Sequence, residues 1–340
     1  MPSDAAIRKA RRLAPRLEAW FAGHARDLPW RRTRAPYAIW VSEIMLQQTQ
    51  VATVIPFWQR WMRALPSLHH LARAQPERVL KLWEGLGYYS RARNLQAAAK
   101  QIMAEHGGRF PTDPKSIRAL PGIGRYTAGA ISSIALGQAE PIVDGNVIRI
   151  LTRLFGLQDD PKSKPMQEIL WVLADRLVKA ADDCGALNQS LMELGATVCH
   201  PRAPDCERCP VARSCLARRK GIIHLLPAKP ARPASVQRLI HVYLITHAGR
   251  MLLQQRPEGF HNASFWELPN DETGPAQSLP EDALPLATAR HTITRYRIKL
   301  RLYAMPRKKT PGQWHAVGEL DSIPMTAAHR KLLSQINLPA

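Results

Sequence analysis

The sequence predicts a multidomain chain, a nearly all-helical part followed by a smaller α+β domain, and three observations carry that prediction. Up to about Leu226 the apolar residues recur at helical spacing, as in Tyr37, Trp40, Val41, Ile44 and Met45. The segment from Leu226 to Val236, LPAKPARPASV, then carries three prolines and two cationic residues, the composition of an extended, semi-rigid linker. Beyond it Ile240, Val242 and Leu244 alternate with His241 and Tyr243, and Ile298, Leu300 and Leu302 alternate with Lys299 and Arg301, the period of strands. The 340 residues suffice for two or three domains with their own cores, and no internal repeat is present.

Taken in order, the chain opens on a basic stretch, Ile7 to Arg16, that reads as an exposed helix with no signal-peptide core after it. The helix of Tyr37 to Met45 bears Glu43, off the main apolar stripe but among Trp40, Ile44 and Met45. Desolvation there would raise its pKa and keep a proton available. The polar break Gln47-Gln48-Thr49 follows. In WEGLGYYSRARN, Gly85 and Gly87 lack the third glycine and the preceding strand of a dinucleotide site, so this is no Rossmann signal.

Residues 113–137 read as two helices joined by a tight hairpin: Asp113 caps, Pro114 opens, Leu120 ends the first, and Pro121, Gly122 and Gly124 form the turn. The second helix would then point free N–H groups out of a glycine-lined loop, which suits a phosphate, although a plain turn between packed helices fits the stretch alone. Asp144 falls in an Asp-Gly-Asn turn before a helix whose apolar face is Val147, Ile150, Leu151 and Leu154. The helix dipole at that place favours an ionised carboxylate.

Cys199, Cys206, Cys209 and Cys215 stand at the spacing CX6CX2CX5C, while a fifth cysteine, Cys184, is left over. Two disulfides fit poorly with an odd count and no secretory leader. Zinc and iron–sulfur both accept four thiolates, but one CX2C with outer cysteines at six and five residues favours a [4Fe-4S] cluster over the paired knuckles of structural zinc.

Against 27 acidic residues stand 48 Lys and Arg, a formal charge of +21 and a pI near 10.4. Solubility needs far less, so a polyanionic partner, nucleic acid first, is expected. No apolar run reaches transmembrane length, and no membrane partner is expected.

Together LPGIGRYTAGA, VDGNVIRIL and the cysteine cluster resemble the helix-hairpin-helix DNA glycosylases related to endonuclease III, and WVSEIMLQQTQV with WEGLGYYSRARNL narrows the resemblance to the adenine glycosylases of the MutY type. It covers nearly the whole chain. The resemblance implies an all-α helix-hairpin-helix glycosylase core with an iron–sulfur cluster, then an α+β MutT/nudix-like domain. The expected domains are 1–28 plus 138–226 around the cluster, 29–137 with the hairpin, a 227–237 linker, and 238–340 for mismatch recognition.

The implied activity is hydrolysis of the N-glycosidic bond of adenine paired with 8-oxoguanine or guanine in double-stranded DNA. A cytoplasmic, nucleoid-associated bacterial monomer is expected. By resemblance Glu43 protonates adenine N7 and later assists water, and Asp144 stabilises the cationic sugar, with or without a covalent intermediate, beside Asn146. Tyr126 touches the carboxylate and the nucleophile. It stands where bifunctional relatives place a lysine, so the resemblance implies no Schiff base and a monofunctional enzyme. Gln48 and Tyr88 match intercalating residues, Gly122 and Gly124 the phosphate-binding hairpin. Arg26, Leu28, Trp30, Arg31 and Gln189, next to Glu193, are the adenine-pocket candidates. Arg202, Arg208, Arg213, Arg218 and Arg219 flank the cysteines and are expected to meet the DNA backbone.

The C-terminal part lacks the nudix box, so no magnesium cluster and no pyrophosphatase activity are expected. Where the family probes 8-oxoguanine with Phe-Ser-His, this chain has Ile293, Thr294 and Arg295. Thr294 keeps a hydroxyl to meet DNA, and Arg295 replaces an imidazole with a permanent cation. Two other readings stay open: a thymine or other mismatch glycosylase, and a non-catalytic DNA-binding iron–sulfur protein.

Overall fold

The computed structural model describes residues 2–228, 234–260, 262–277, 279, 283–306 and 310–337. Residues 229–233 of the expected linker lie outside the described residues. Helices come first: α1 Asp4–His24, α2 Pro36–Leu46, α3 Val51–Ala64, α4 Leu68–Arg73, α5 Pro76–Trp83, α6 Ser90–Glu105, α7 Pro114–Ala119, α8 Arg125–Ile134, α9 Gly145–Phe155, α10 Lys164–Val178, α11 Cys184–Thr197 and α12 Leu216–Arg219. Strands β1 Val236–Leu244, β2 Thr246–His247, β3 Arg250–Gln255, β4 Trp266–Glu267, β5 Ala287–Ile293, β6 Tyr296–Ala304 and β7 Gln313–Ala316 follow, then α13 Ala327–Leu333. Among the described residues no helix is long and apolar enough to cross a membrane.

The chain divides into two compact units, Met1–Arg73 with Asn94–Ala231, and Ala74–Arg93 with Arg232–Ala340. In the first, α1 is capped by Ser3 and buries Ala10, Leu13, Ala14, Leu17 and Trp20. That spacing lays one face of the helix against the core, so the stretch expected to be exposed is amphipathic. Leu13 and Leu17 join Val147, Leu151, Leu170, Leu177, Leu187 and Leu191 of α9, α10 and α11 in one apolar cluster. Helix α2 is buried from Tyr37 to Met45 without a polar face, which is why Glu43 is inside rather than beside a stripe.

The hairpin forms as the sequence predicts. Asp113 accepts from Ser116 N–H at 2.9 Å, α7 stops at Leu120, and α8 starts after Gly124 with no side-chain cap. Gly122 takes φ +75°, and a Cβ there would stand 2.6 Å from Asn94 Cβ, so both backbone and space require glycine. Gly124 is different: its φ is −86° and a Cβ would meet nothing within 4 Å.

In the second unit one sheet runs β1-β6-β5, with β1 parallel and β5 antiparallel to β6. Ile298, Leu300 and Leu302 point inward from β6 and meet Val242, Leu253, Met325 and Leu332. The other sheet pairs β3 with β2, β4 and β7. Because β1 begins at Val236, the last two residues of the expected 227–237 linker are already strand.

Candidate active site

A cavity of about 480 Å³ within the helical unit gathers side chains from five helices and the turns beside them. Glu43 comes from α2, Tyr126 from the first turn of α8, Asp144 from the cap of α9, and Met192 with Glu193 from α11. Tyr126 Oη donates to Glu43 Oε2 at 2.7 Å and lies 3.2 Å from Met192 Sδ. Glu43 is 4% exposed. Burial drives its pKa up to about 7, the Tyr126 hydrogen bond pulls the other way, and nearby Asp144 adds to the rise. Burial and the two carboxylates likewise push the Tyr126 phenol well above its ordinary value.

Asp144 accepts from Val147 N–H at 2.7 Å and from Asn146 Nδ2 at 3.0 Å. Asp144 thus caps α9, at the helix start where the sequence placed it, but the electrostatic consequence is not the expected one. Burial outweighs these hydrogen bonds and leaves the Asp144 pKa above the ordinary value, where the dipole argument had it favouring the ionised form. Asn146 is fixed from behind: its Oδ1 accepts from Arg149 Nη2 at 2.8 Å, and Arg149 Nε donates to the Cys199 carbonyl at 2.7 Å.

The pocket candidates are brought to the same cavity, since Arg26, Leu28, Trp30, Arg31, Gln48 and Gln189 all line it. Two of these cations are already committed. Arg26 donates to Glu193 from its backbone N–H at 3.0 Å, from Nε at 2.7 Å and from Nη2 at 2.8 Å, and Arg31 Nη2 adds 2.9 Å. Burial would raise the Glu193 pKa, but these bonds overcome it and bring the carboxyl down to about 2. Glu193 is named from the sequence only as a neighbour of Gln189, and Met192 is missed there; their only local signal is the proximity of Gln189 on the same helix.

Residues 41–176 match the HhH-GPD superfamily base excision DNA repair protein, and residues 241–335 match the NUDIX domain. An adenine DNA glycosylase of Buchnera aphidicola subsp. Schizaphis graminum is 34% identical over 255 residues, covering 75% of this chain and 73% of that protein. The chain belongs to the adenine DNA glycosylase family. The human adenine DNA glycosylase is 40% identical over 322 residues, 79% of this chain and 59% of that one. Rat and mouse relatives are covered over 44% of their length, so this chain spans about half the length of the first curated relatives it matches. A solved thermostable thymine-DNA glycosylase superposes with TM-score 0.58 at 30% identity, over 64% of this chain and all of the other.

The four cysteines, Tyr88 and Thr294 do not line this cavity. Cys199, Cys206, Cys209 and Cys215 line a separate small cavity of about 30 Å³. Arg153 Nη1 stands 3.3 Å from Cys199 Sγ. Among the described residues no three His, Cys, Asp or Glu side chains close to metal-holding distance, yet four thiols converging on one space fit a sulfur-ligated group. Tyr88 precedes α6, is 47% exposed, and has φ +48°; Gln48, after α2, has φ +57°. Non-glycine residues avoid that region unless something over-determines them. Thr294, at φ +52°, and Arg295 form the two-residue turn between β5 and β6, where Thr294 Oγ1 donates to the Ile293 carbonyl at 2.7 Å.

Proposed function

We propose that this chain is a monofunctional glycosylase that flips adenine out of duplex DNA where it faces 8-oxoguanine or guanine and hydrolyses its N-glycosidic bond. The observation that carries the reading is the hydrogen bond of Tyr126 to Glu43 inside a cavity that Asp144 also enters. A carboxyl with a pKa of about 7 still holds a proton at neutral pH and can give it to adenine N7 as the bond to C1′ breaks. Asp144 faces the oxocarbenium-like sugar that this leaves. Glu43, now ionised, takes a proton from the water that attacks C1′, and the group returns to its starting state. Tyr126 orients Glu43 throughout and, being a phenol, forms no Schiff base.

The net charge of +21 and the free N–H groups opening α8 at Gly124 suit the phosphate backbone. Gln48 and Tyr88, held in left-handed backbone, are the wedges that fill the gap left by the flipped base. The four cysteines would hold a [4Fe-4S] cluster, which when bound ties the 199–215 loop into one rigid piece beside α9. The C-terminal domain, through Thr294 and its neighbours, reads the base opposite adenine. The enzyme acts as a monomer in the compartment that holds the DNA.

Incubation with duplexes carrying A opposite 8-oxoguanine, A opposite G, and T opposite G, followed by alkaline cleavage of abasic sites, tests the proposal. Release from the two adenine duplexes is expected. Release from T opposite G alone would replace it with the thymine reading, and binding without release would make the chain non-catalytic. Efficient borohydride trapping of an enzyme–DNA adduct would contradict the monofunctional assignment.

A further inference from the structure

A second, larger concavity of about 670 Å³ in the helical unit has no part in that reaction. It lies against the end of α9 at Phe155, whereas Asp144 caps the beginning, so the length of α9, roughly 16 Å for eleven residues, separates the two. Five cations line it: Lys9, Arg12 and Arg16 from α1, and Arg213 and Arg219 from the segment around Cys215. Among the described residues no Asp or Glu lines it. Lys9 is committed, donating to the Leu154 carbonyl at 2.5 Å and lying 4.9 Å from the centre of the Phe155 ring. The four arginines have no ion-pair partner among the described residues, and all four are exposed.

The floor between them is apolar. Leu157, Ile169 and Leu216 are only half-buried there. Like charges gathered around an apolar floor repel one another and leave hydrocarbon wet, and one occupant relieves both. A sugar-phosphate backbone would answer the arginines but has no side chains with which to cover the leucines and the isoleucine.

We propose that this groove docks an acidic amphipathic helix of a partner protein. Its carboxylates face Arg12, Arg16, Arg213 and Arg219, the last two in place of the DNA-backbone contact expected of them from the sequence, and its apolar side chains cover Leu157, Ile169 and Leu216. The wall of α1 from Ala5 to Arg16 is roughly 16 Å long, which matches about three turns of a partner helix. The surface stands apart from the base-excision site, so it holds whatever base the enzyme removes.

The test uses the full chain and a fluorescein-labelled peptide of about twelve residues, three turns, with glutamate and leucine at helical spacing. A peptide of the same composition in scrambled order serves as control. Anisotropy titrations are expected to show the patterned peptide binding at least about tenfold more tightly than the scrambled one. The double variant Arg12→Glu/Arg16→Glu should weaken it by about tenfold or more while base release stays unchanged. A peptide with lysine in place of glutamate should regain binding to that variant, which separates lost charge from lost fold. Equal binding of the patterned and scrambled peptides overturns the proposal. So does displacement of the peptide by an undamaged duplex together with an equal loss of duplex affinity in the double variant, which would make the groove a DNA-backbone surface.

Discussion

Tyr126 Oη stands 2.7 Å from Glu43 Oε2, across 83 residues of sequence, and it is the hydrogen bond that opposes burial at this carboxyl. A donor to an ionised acid stabilises the anion, so the phenol limits how far desolvation can raise the Glu43 pKa. The balance puts the acid near neutrality, where it can both give and take a proton.

Tyr126→Phe removes the donor and keeps the ring. The Glu43 pKa then climbs above about 7, and the basic limb of the base-release profile moves to higher pH. The maximal rate falls by roughly ten- to a hundredfold as the carboxyl loses its orientation. Single-turnover rates across pH measure both effects, and an unmoved limb would show that the bond does not tune the acid.

Glu43→Gln should keep duplex affinity and lose excision. It also alters stability in a pH-dependent way. A carboxyl at about 7 in the folded chain against an ordinary 4.5 binds its proton more tightly when folded, so stability declines as pH rises from 4.5 through 7. The decline reaches about 3 kcal/mol at most. Gln has no such slope, so the variant should gain on the parent at pH 8 and differ little at pH 5. Denaturant titrations at both pH values check this; a gap that is the same at both would remove burial of Glu43 as its source.

Much of this was legible from residue order alone because local rules apply. The cap at Asp113, the stop at Leu120, the turn at Gly122 and the inward alternation of Ile298, Leu300 and Leu302 each depend on neighbours a few positions away. Glu43, Asp144 and Tyr126 were found through resemblance, and the fold brings them to one cavity. What was not legible is what distant chain segments impose. Burial, which no dipole argument at the cap anticipates, reverses the expected direction at Asp144. The arginines at 26 and 31 meet Glu193 across 167 and 162 residues, a pairing that no periodicity encodes.

Gly195 is one such distant constraint. A Cβ there would stand 2.6 Å from Asn146 Cβ, on the residue that donates to Asp144 at 3.0 Å. Gly195→Ala should therefore displace Asn146 and lower single-turnover base release by about a hundredfold, the effect of an ångström-scale misplacement. Duplex affinity should hold. A parallel loss of affinity and rate would point to general unfolding of α11 instead.

The four thiols make a compositional prediction. Purified protein should carry iron and acid-labile sulfide together, and Cys206→Ser should lower both, because a missing ligand opens the cavity that the four cysteines line. Zinc without sulfide in elemental analysis would give the site to a structural zinc ion.

Glu193 is fully buried, and its charge is held by Arg26 and Arg31 at 2.7 and 2.9 Å. Glu193→Ala leaves both guanidiniums uncompensated at the wall of the cavity and should cost about 3 kcal/mol, the lower end for breaking a buried pair because Arg26 can turn toward water. The pH dependence runs opposite to that of Glu43. A carboxyl at about 2 when folded contributes fully above 4.5, and its contribution disappears as pH falls from 4.5 through 2. The gap between parent and variant should thus be widest at pH 7 and shrink at pH 3. Urea unfolding at the two pH values measures it. A gap as large at pH 3 as at pH 7 would mean that the Glu193 side chain stabilises the wall by filling space, since only the ionised carboxylate engages the two arginines as charges.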